Sequence, residues 1–223
     1  MALKSLYLIR HGHTEWHATG GVAGSSDIAL AEQGRDAIRQ LAASLQQMMV
    51  TPQAWYCSPM LRTRQSSDLL REHWWSDETG STAAADRILP DTLLDARLVE
   101  LDFGDWEGMT WADVHEQHAD VMQAWAEDWV NRAPPGGERF ASQAARCQAW
   151  LEEARKALAD VESASAVVVS HGGSIRALLC LCLGWSLQRA MSFRVDPASL
   201  THLQFDASEA RWLTRGINVR RAP

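Results

Sequence analysis

The chain has 223 residues, enough for one large domain or one domain with an inserted cap. With 46% apolar and 22% charged residues its composition is that of a globular protein. A formal net charge of -7 argues against nucleic acid or an anionic membrane as a partner, so a locally basic pocket would be a specific feature.

Met1-Ala-Leu-Lys leads straight into an apolar run, residues 6–9, which reads as a buried strand and leaves no room for a signal peptide. That strand ends in Arg10-His11-Gly12-His13-Thr14, where the glycine is expected to let the backbone turn. A Gly-rich loop over residues 20–26 precedes a helix over 30–49, whose apolar stripe is Ile38, Leu41, Leu45 and Met48. Residues 53–57 predict a short strand. Ser58-Pro59 is expected to open the next helix, with Pro59 in its first turn, and that helix runs to about residue 75. Residues 76–85 are small and polar, a surface loop. Residues 98–101 are a strand candidate. A helix over 110–130 gathers Trp111, Val114, Met122, Trp125 and Trp129 on one face, and Pro134-Pro135-Gly136-Gly137 breaks the chain after it. A helix over 141–159 and an apolar β-branched central strand over 166–170 lead to His171-Gly172-Gly173. A helix over 174–183 and a closing hairpin, 200–205 with 212–217, complete the chain. Alternating strands and helices predict an α/β fold with helices on both faces of a sheet.

The four cysteines show no CxxC spacing; Cys180 and Cys182 read as small core residues, and a reducing cytoplasm fits best. The longest apolar stretch, about residues 177–185, is too short to span a bilayer.

Four segments offer catalytic residue types at strand ends or helix starts. They are Arg10-His11; Arg62 after Ser58-Pro59; Glu100 ahead of Phe103-Gly104 and Trp106-Glu107-Gly108; and His171-Gly172-Gly173. In an open α/β sheet, ligands bind beyond the carboxyl ends of the strands, so all four can meet in one crevice. Two arginines, two histidines and a carboxylate suit phosphoryl transfer. Arginine neutralises phosphate oxygens with a fixed fork of donors, and backbone N–H groups at the helix start after His171 offer a further anion site. A neutral histidine can carry the phosphoryl group. A carboxylic acid can protonate the leaving oxygen, for which Glu100 has to hold a proton near neutral pH.

The collinear set Arg10-His11-Gly12-x-Thr14, Ser58-Pro59-x-x-Arg62, Glu100-x-x-Phe103-Gly104-x-Trp106-Glu107-Gly108 and Ser170-His171-Gly172-Gly173-x-Ile175-Arg176 resembles the histidine phosphatase superfamily, the phosphoglycerate-mutase-like group. The resemblance runs from Leu6 to about Phe205. It implies a three-layer α/β/α fold with a mostly parallel mixed central sheet and a helical cap insertion. The whole of 1–223 would form one domain, with cap elements at about 73–96 and 106–140. It also implies a phosphohistidine intermediate with no metal and no cofactor. His11 would be the nucleophile, Arg10, Arg62 and a cationic His171 the phosphate clamp, and Glu100 the proton donor and then the base. His17, Ala23, Gly24, Arg64 and Gly172 would contact a small phosphorylated substrate, and Asp27 matches the family's Asp before the first helix.

The chain departs from that pattern at His13, where the family carries other polar residues, at His17, where it normally has Asn beside the phosphate, and at Arg139, where it often has Ser or Thr. Three other functions stay open: a 2,3-bisphosphoglycerate-dependent mutase, a metal hydrolase using His11 and His13, and a non-catalytic phosphate-ligand-binding protein of the same fold. Gly24-Ser25 and the Trp106-Glu107-Gly108 segment favour the phosphatase branch over the mutases. Residues 195–201, Val-Asp-Pro-Ala-Ser-Leu-Thr, are similar to the α-ribazole phosphatases, and the tryptophan-rich surface elements would suit a homodimer.

Overall fold

A computed structural model of the chain describes residues 3–46, 51–74, 88–161 and 163–220. Its centre is a six-stranded sheet in the order β3-β2-β4-β1-β5-β6. The strands are β1 (Leu3–Arg10), β2 (Ala54–Cys57), β3 (Thr92–Leu94), β4 (Ala164–Ser170), β5 (Leu200–Asp206) and β6 (Arg211–Val219). β1, β2, β3 and β4 run parallel, while β5 and β6 close one edge as an antiparallel hairpin. This is the mostly parallel mixed sheet that the resemblance implies, within the α/β fold that the alternating pattern predicts.

Period-two alternation along the strands divides the core. Leu6, Leu8, Tyr56, Ala166 and Val168 face α6 (Phe140–Ala157) and α7 (Gly172–Leu183), packing on Phe140, Trp150 and Leu178. Tyr7, Ile9, Trp55, Cys57, Val167 and Val169 face α2 (Glu32–Gln46) and α3 (Leu61–His73), packing on Ile38, Leu41, Leu45 and Leu70. Each Val, Leu, Ile or Phe side chain among them, removed from water, contributes roughly 1.5–3 kcal/mol. Cys180 lies in the first cluster, and Cys182 packs half-buried against it.

Several expected boundaries move. α3 begins at Leu61, so Pro59 lies ahead of the helix rather than in its first turn. Residues 98–101 form no strand: Ala96–Leu98 is a 3-10 turn, and the edge strand lies earlier, at Thr92–Leu94. The helix expected over 110–130 is two helices, α4 (Trp111–Gln117) and α5 (Ala119–Glu127), broken at His118 with φ -136 and ψ 36. No Gly or Pro marks that break, so periodicity alone bridges it. Trp111 and Trp125 stack across the two helices at 5.9 Å, and Trp106 meets both edge-on. α1 (Glu15–Thr19) is one short turn after β1. The surface loop over 76–85, the last residues of the helix expected over 30–49, and most of the cap element at 73–96 lie outside the described residues. Among the described residues no helix is long and apolar enough to cross a membrane.

Candidate active site

The three central strands, β2, β4 and β1, end side by side, with Arg10 paired to Ser170 and Cys57 to Val169. The next residue of each is catalytic in type: His11, Ser58 and His171. Ladder bonds continue one step past the strands, His11 N–H donating to Ser170 O and Ser58 N–H to Val169 O, both at 3.0 Å. The backbone beneath the site is therefore part of the sheet. Gly12 serves close approach rather than a turn: it has no positive φ, and a Cβ there would run into the carbonyl of Gly34 on α2.

The rings of His11 and His171 meet edge-on with centroids 5.1 Å apart, and those of His11 and His17 at 5.7 Å. His11 Nδ1–H donates to Gly12 O at 2.7 Å, which leaves the Nε2 lone pair free. Burial, then His171, Arg10 and Arg62, hold its pKa well below 6.5, so the ring is neutral and nucleophilic. His171 Nε2 meets the Ser58 hydroxyl at 2.8 Å. Complete burial, with Arg62, Arg10 and Arg146 nearby, holds His171 well below the ordinary value too. The expectation of a cationic His171 is thereby corrected for the free protein: the neighbouring charges are positive and water is excluded.

Arg62 reaches in from the first turn of α3, whose leading N–H, that of Leu61, is capped by the Asp27 carboxylate. Its Nη1 donates to Ser26 O and its Nη2 to Gly24 O, both at 2.7 Å, so it ties down the Gly-rich loop. Glu107 holds the same loop from the other side, accepting from the N–H and hydroxyl groups of Ser25 and Ser26. Arg10 Nη1 donates to Val195 O at 2.7 Å and its Nη2 lies 3.1 Å from His17 Nε2. Desolvation brings the Arg10 pKa down to about 10, which leaves it charged at neutral pH. Three buried nitrogens around His11 have no partner within the protein: Arg10 Nε, Arg62 Nε and His171 Nδ1.

Glu100 completes the group. Its Oε1 accepts from Leu101 N–H (2.9 Å), Gly173 N–H (3.0 Å) and Gln143 Nε2 (3.1 Å). The N-terminus of α7 thus holds the protein's own carboxylate, and a Cβ at residue 173 would collide with it. Arg146 fixes the chain leading to it, donating to the carbonyls of Arg97, Val99 and Glu100 while forking onto Glu138. A cavity of about 350 Å³ opens beside Glu100, lined by Ser25, Met60, Val99, Asp102, Glu138 and Arg146.

The structure therefore brings together Arg10, His11, His17, Arg62, Glu100 and His171, with Gly24 and Gly172 at their backs: the Gly24 carbonyl accepts from Arg62, and Gly172 packs under the Arg10 guanidinium. Ala23 is half-buried in the loop, and Arg64 stands exposed on α3. Sequence reasoning missed Ser58 as the partner of His171, and Gln143 and Arg146 as the supports of Glu100. Single polar residues, Ser58 in a connection and Gln143 and Arg146 on a helix, give no local signal of these contacts.

The chain matches the family model of the histidine phosphatase superfamily (branch 1) over residues 6–218, nearly end to end. The chain belongs to the histidine phosphatase superfamily. It is 30% identical over 217 residues to phosphoserine phosphatase 1 of Hydrogenobacter thermophilus, covering 97% of this chain and 93% of that one. It is 28% identical to a relative in an Enterobacter species named "Probable phosphoglycerate mutase GpmB", covering 99% and 93%. It also superposes on the alpha-ribazole phosphatase of Shigella flexneri with a TM-score of 0.79 at 25% identity, each chain covered to 98%.

Proposed function

We propose that this histidine phosphatase is a metal-independent phosphomonoesterase that releases phosphate from a small phosphorylated metabolite through a phosphohistidine at His11. The observation that carries this reading is the set of unpartnered buried nitrogens of Arg10, Arg62 and His171 around the His11 ring. Buried nitrogens left without a partner on three neighbouring elements suit a ligand that is all acceptors, as a phosphoryl group is. The guanidinium charges of Arg10 and Arg62 supply the neutralisation.

His11 Nε2 attacks phosphorus in line as the ester P–O bond breaks, and Glu100 gives its proton to the departing oxygen. Water then enters, Glu100 takes one of its protons, and the new P–O bond displaces His11 as neutral imidazole. The leaving group occupies the cavity beside Glu100, a space sized for a small molecule. Relatives named for phosphoserine and α-ribazole support that substrate class. Ala23 and Arg64 serve as outer contacts to the same substrate.

Phosphate release from p-nitrophenyl phosphate and a panel of metabolite esters tests this, with His11→Ala in parallel. The variant is expected to lose at least about 10³-fold in kcat. Wild-type turnover in the variant removes His11 as nucleophile. Isomerisation of 3-phosphoglycerate outrunning phosphate release makes the protein a mutase, and complete inertness makes it a binding protein.

A further inference from the structure

The side chains around the leaving-group cavity accept hydrogen bonds but have almost none left to give. Arg146 is the cation on that wall. Its five N–H groups are all engaged within the protein. Nε–H donates to Glu138 Oε1, Nη1 to the carbonyls of Arg97 and Val99, and Nη2 to the Glu100 carbonyl and Glu138 Oε2. The Ser25 hydroxyl has one proton, and it lies between two carboxylate oxygens, Asp102 Oδ1 at 3.1 Å and Glu107 Oε1 at 3.0 Å. Met60 and Val99 add apolar surface. Apart from the catalytic proton of Glu100, no lining side chain has a donor to offer a ligand.

Acceptors remain open. Asp102 Oδ1 takes the Gly104 N–H at 2.8 Å and faces the Ser25 hydroxyl, whereas none of the described residues donates to Oδ2. Glu138 is matched by the Arg146 fork; among the described residues Asp102 pairs with no cation. The two ends of the site are therefore opposite in kind. Around His11, Arg10, Arg62 and His171 leave donors unpartnered, while beyond Glu100 the wall leaves a carboxylate uncompensated. A carboxylate brought to that wall is repelled and finds no side-chain donor. A hydroxyl or an ammonium finds a charged acceptor.

Resting on the phosphatase reading above, we propose that Asp102 selects the leaving group. The enzyme takes phosphate monoesters whose alcohol carries further hydrogen-bond donors, hydroxyls or an ammonium, close to the ester oxygen, and disfavours those that carry a carboxylate there. Asp102 is set up for this role because Gly104 and Ser25 hold one oxygen and leave the other for the ligand. The same anchoring defines the informative variant. In Asp102→Asn the amide oxygen is expected to take the Oδ1 position, where an acceptor is needed, and the NH₂ the Oδ2 position, turning an acceptor into a donor.

Four esters with a three-carbon chain test the proposal: sn-glycerol 3-phosphate, 3-phosphoglycerate, 3-aminopropyl phosphate and propyl phosphate. The second replaces the terminal CH₂OH of the first by a carboxylate, the third carries an ammonium, and the fourth carries neither donor nor charge on its chain. For the wild type, kcat/KM for glycerol 3-phosphate and for aminopropyl phosphate is expected to exceed that for propyl phosphate by about tenfold, as one hydrogen bond to a charged group allows. Glycerol 3-phosphate is expected to lead 3-phosphoglycerate by at least about tenfold. In Asp102→Asn each of these ratios is expected to fall by about tenfold. The order of the hydroxyl and ammonium esters tells which donor the wall prefers, and either order supports the proposal. Equal wild-type values across the set, or 3-phosphoglycerate in first place, overturn it, and that readout stands even if the variant does not fold. Rates that fall together in the variant with unchanged ratios mean that Asp102 only shapes its loop, and overturn it as well. Hydrolysis that depends on His11 but shows no preference defeats this proposal alone. A wild type that hydrolyses neither these esters nor p-nitrophenyl phosphate defeats the phosphatase reading with it.

Discussion

His11, Ser58 and His171 each sit one residue past the end of a strand, whereas Glu100 sits in a stretch that has no strand and follows only a 3-10 turn. The first group inherits its geometry from the sheet, since the ladder bonds run on into the catalytic backbone. Glu100 is held instead by side chains from elsewhere. Gln143 and Arg146 come from α6, while the hydroxyls of Ser170 and Ser174 donate to the Leu98 and Val99 carbonyls. A sheet can fix a nucleophile with local sequence; an acid on irregular backbone needs distant supports.

Substitutions in the two halves should separate these modes of support. The largest effect belongs to Arg62, which belongs to the nucleophile half but also holds the Gly-rich loop. Arg62→Ala removes a phosphate donor, so kcat/KM is expected to fall by about 10²–10³-fold. It also strands the buried carbonyl of Gly24, at a cost of about 1–3 kcal/mol in a urea melt, and releases the half-buried carbonyl of Ser26. Arg62→Lys, with no fork to span both carbonyls, is expected to recover little of either.

Acid should strike the sheet-borne half first. His11 and His171 are held neutral in the fold, well below the value of 6.5 that they regain on unfolding. Between those limits the unfolded chain binds more protons than the native one, so stability falls as pH falls. The two rings together are expected to cost about 2 kcal/mol between pH 6.5 and 5.5, measured as the drop in urea-unfolding free energy. Across that interval, the protonation of His11 should leave kcat/KM unaffected. A fall in kcat/KM with an apparent pKa of 6.5 that His11 can be shown to own would contradict its depressed value.

The smallest effect is expected at Gln143, a positioning residue that reaches the chemistry only through Glu100. Gln143→Leu should lower kcat by about tenfold and shift the alkaline limb of its pH profile, with KM little changed. Gln143→Glu, which sets a second carboxyl beside the first, should move that limb to higher pH instead of restoring it. A uniform loss of activity with an unmoved profile would mean that Gln143 only fills space.

Local sequence specified what local chemistry dictates. The β-branched run at residues 166–170 announces a central strand because both of its faces are buried, and Arg10-His11 and His171 are legible because each directly follows such a run. The break at His118 and the edge strand at Thr92–Leu94 were not legible. Nothing in the residues around His118 forbids one long helix, and a strand of three residues carries too little alternation to read. Tertiary structure alone decided which charges share a space. Gly173 can face Glu100, and Arg10 can face His17, only once β4, α7 and β1 are packed side by side. Whether a histidine there is neutral or charged depends on burial and neighbours, and both are set by residues far away in the chain.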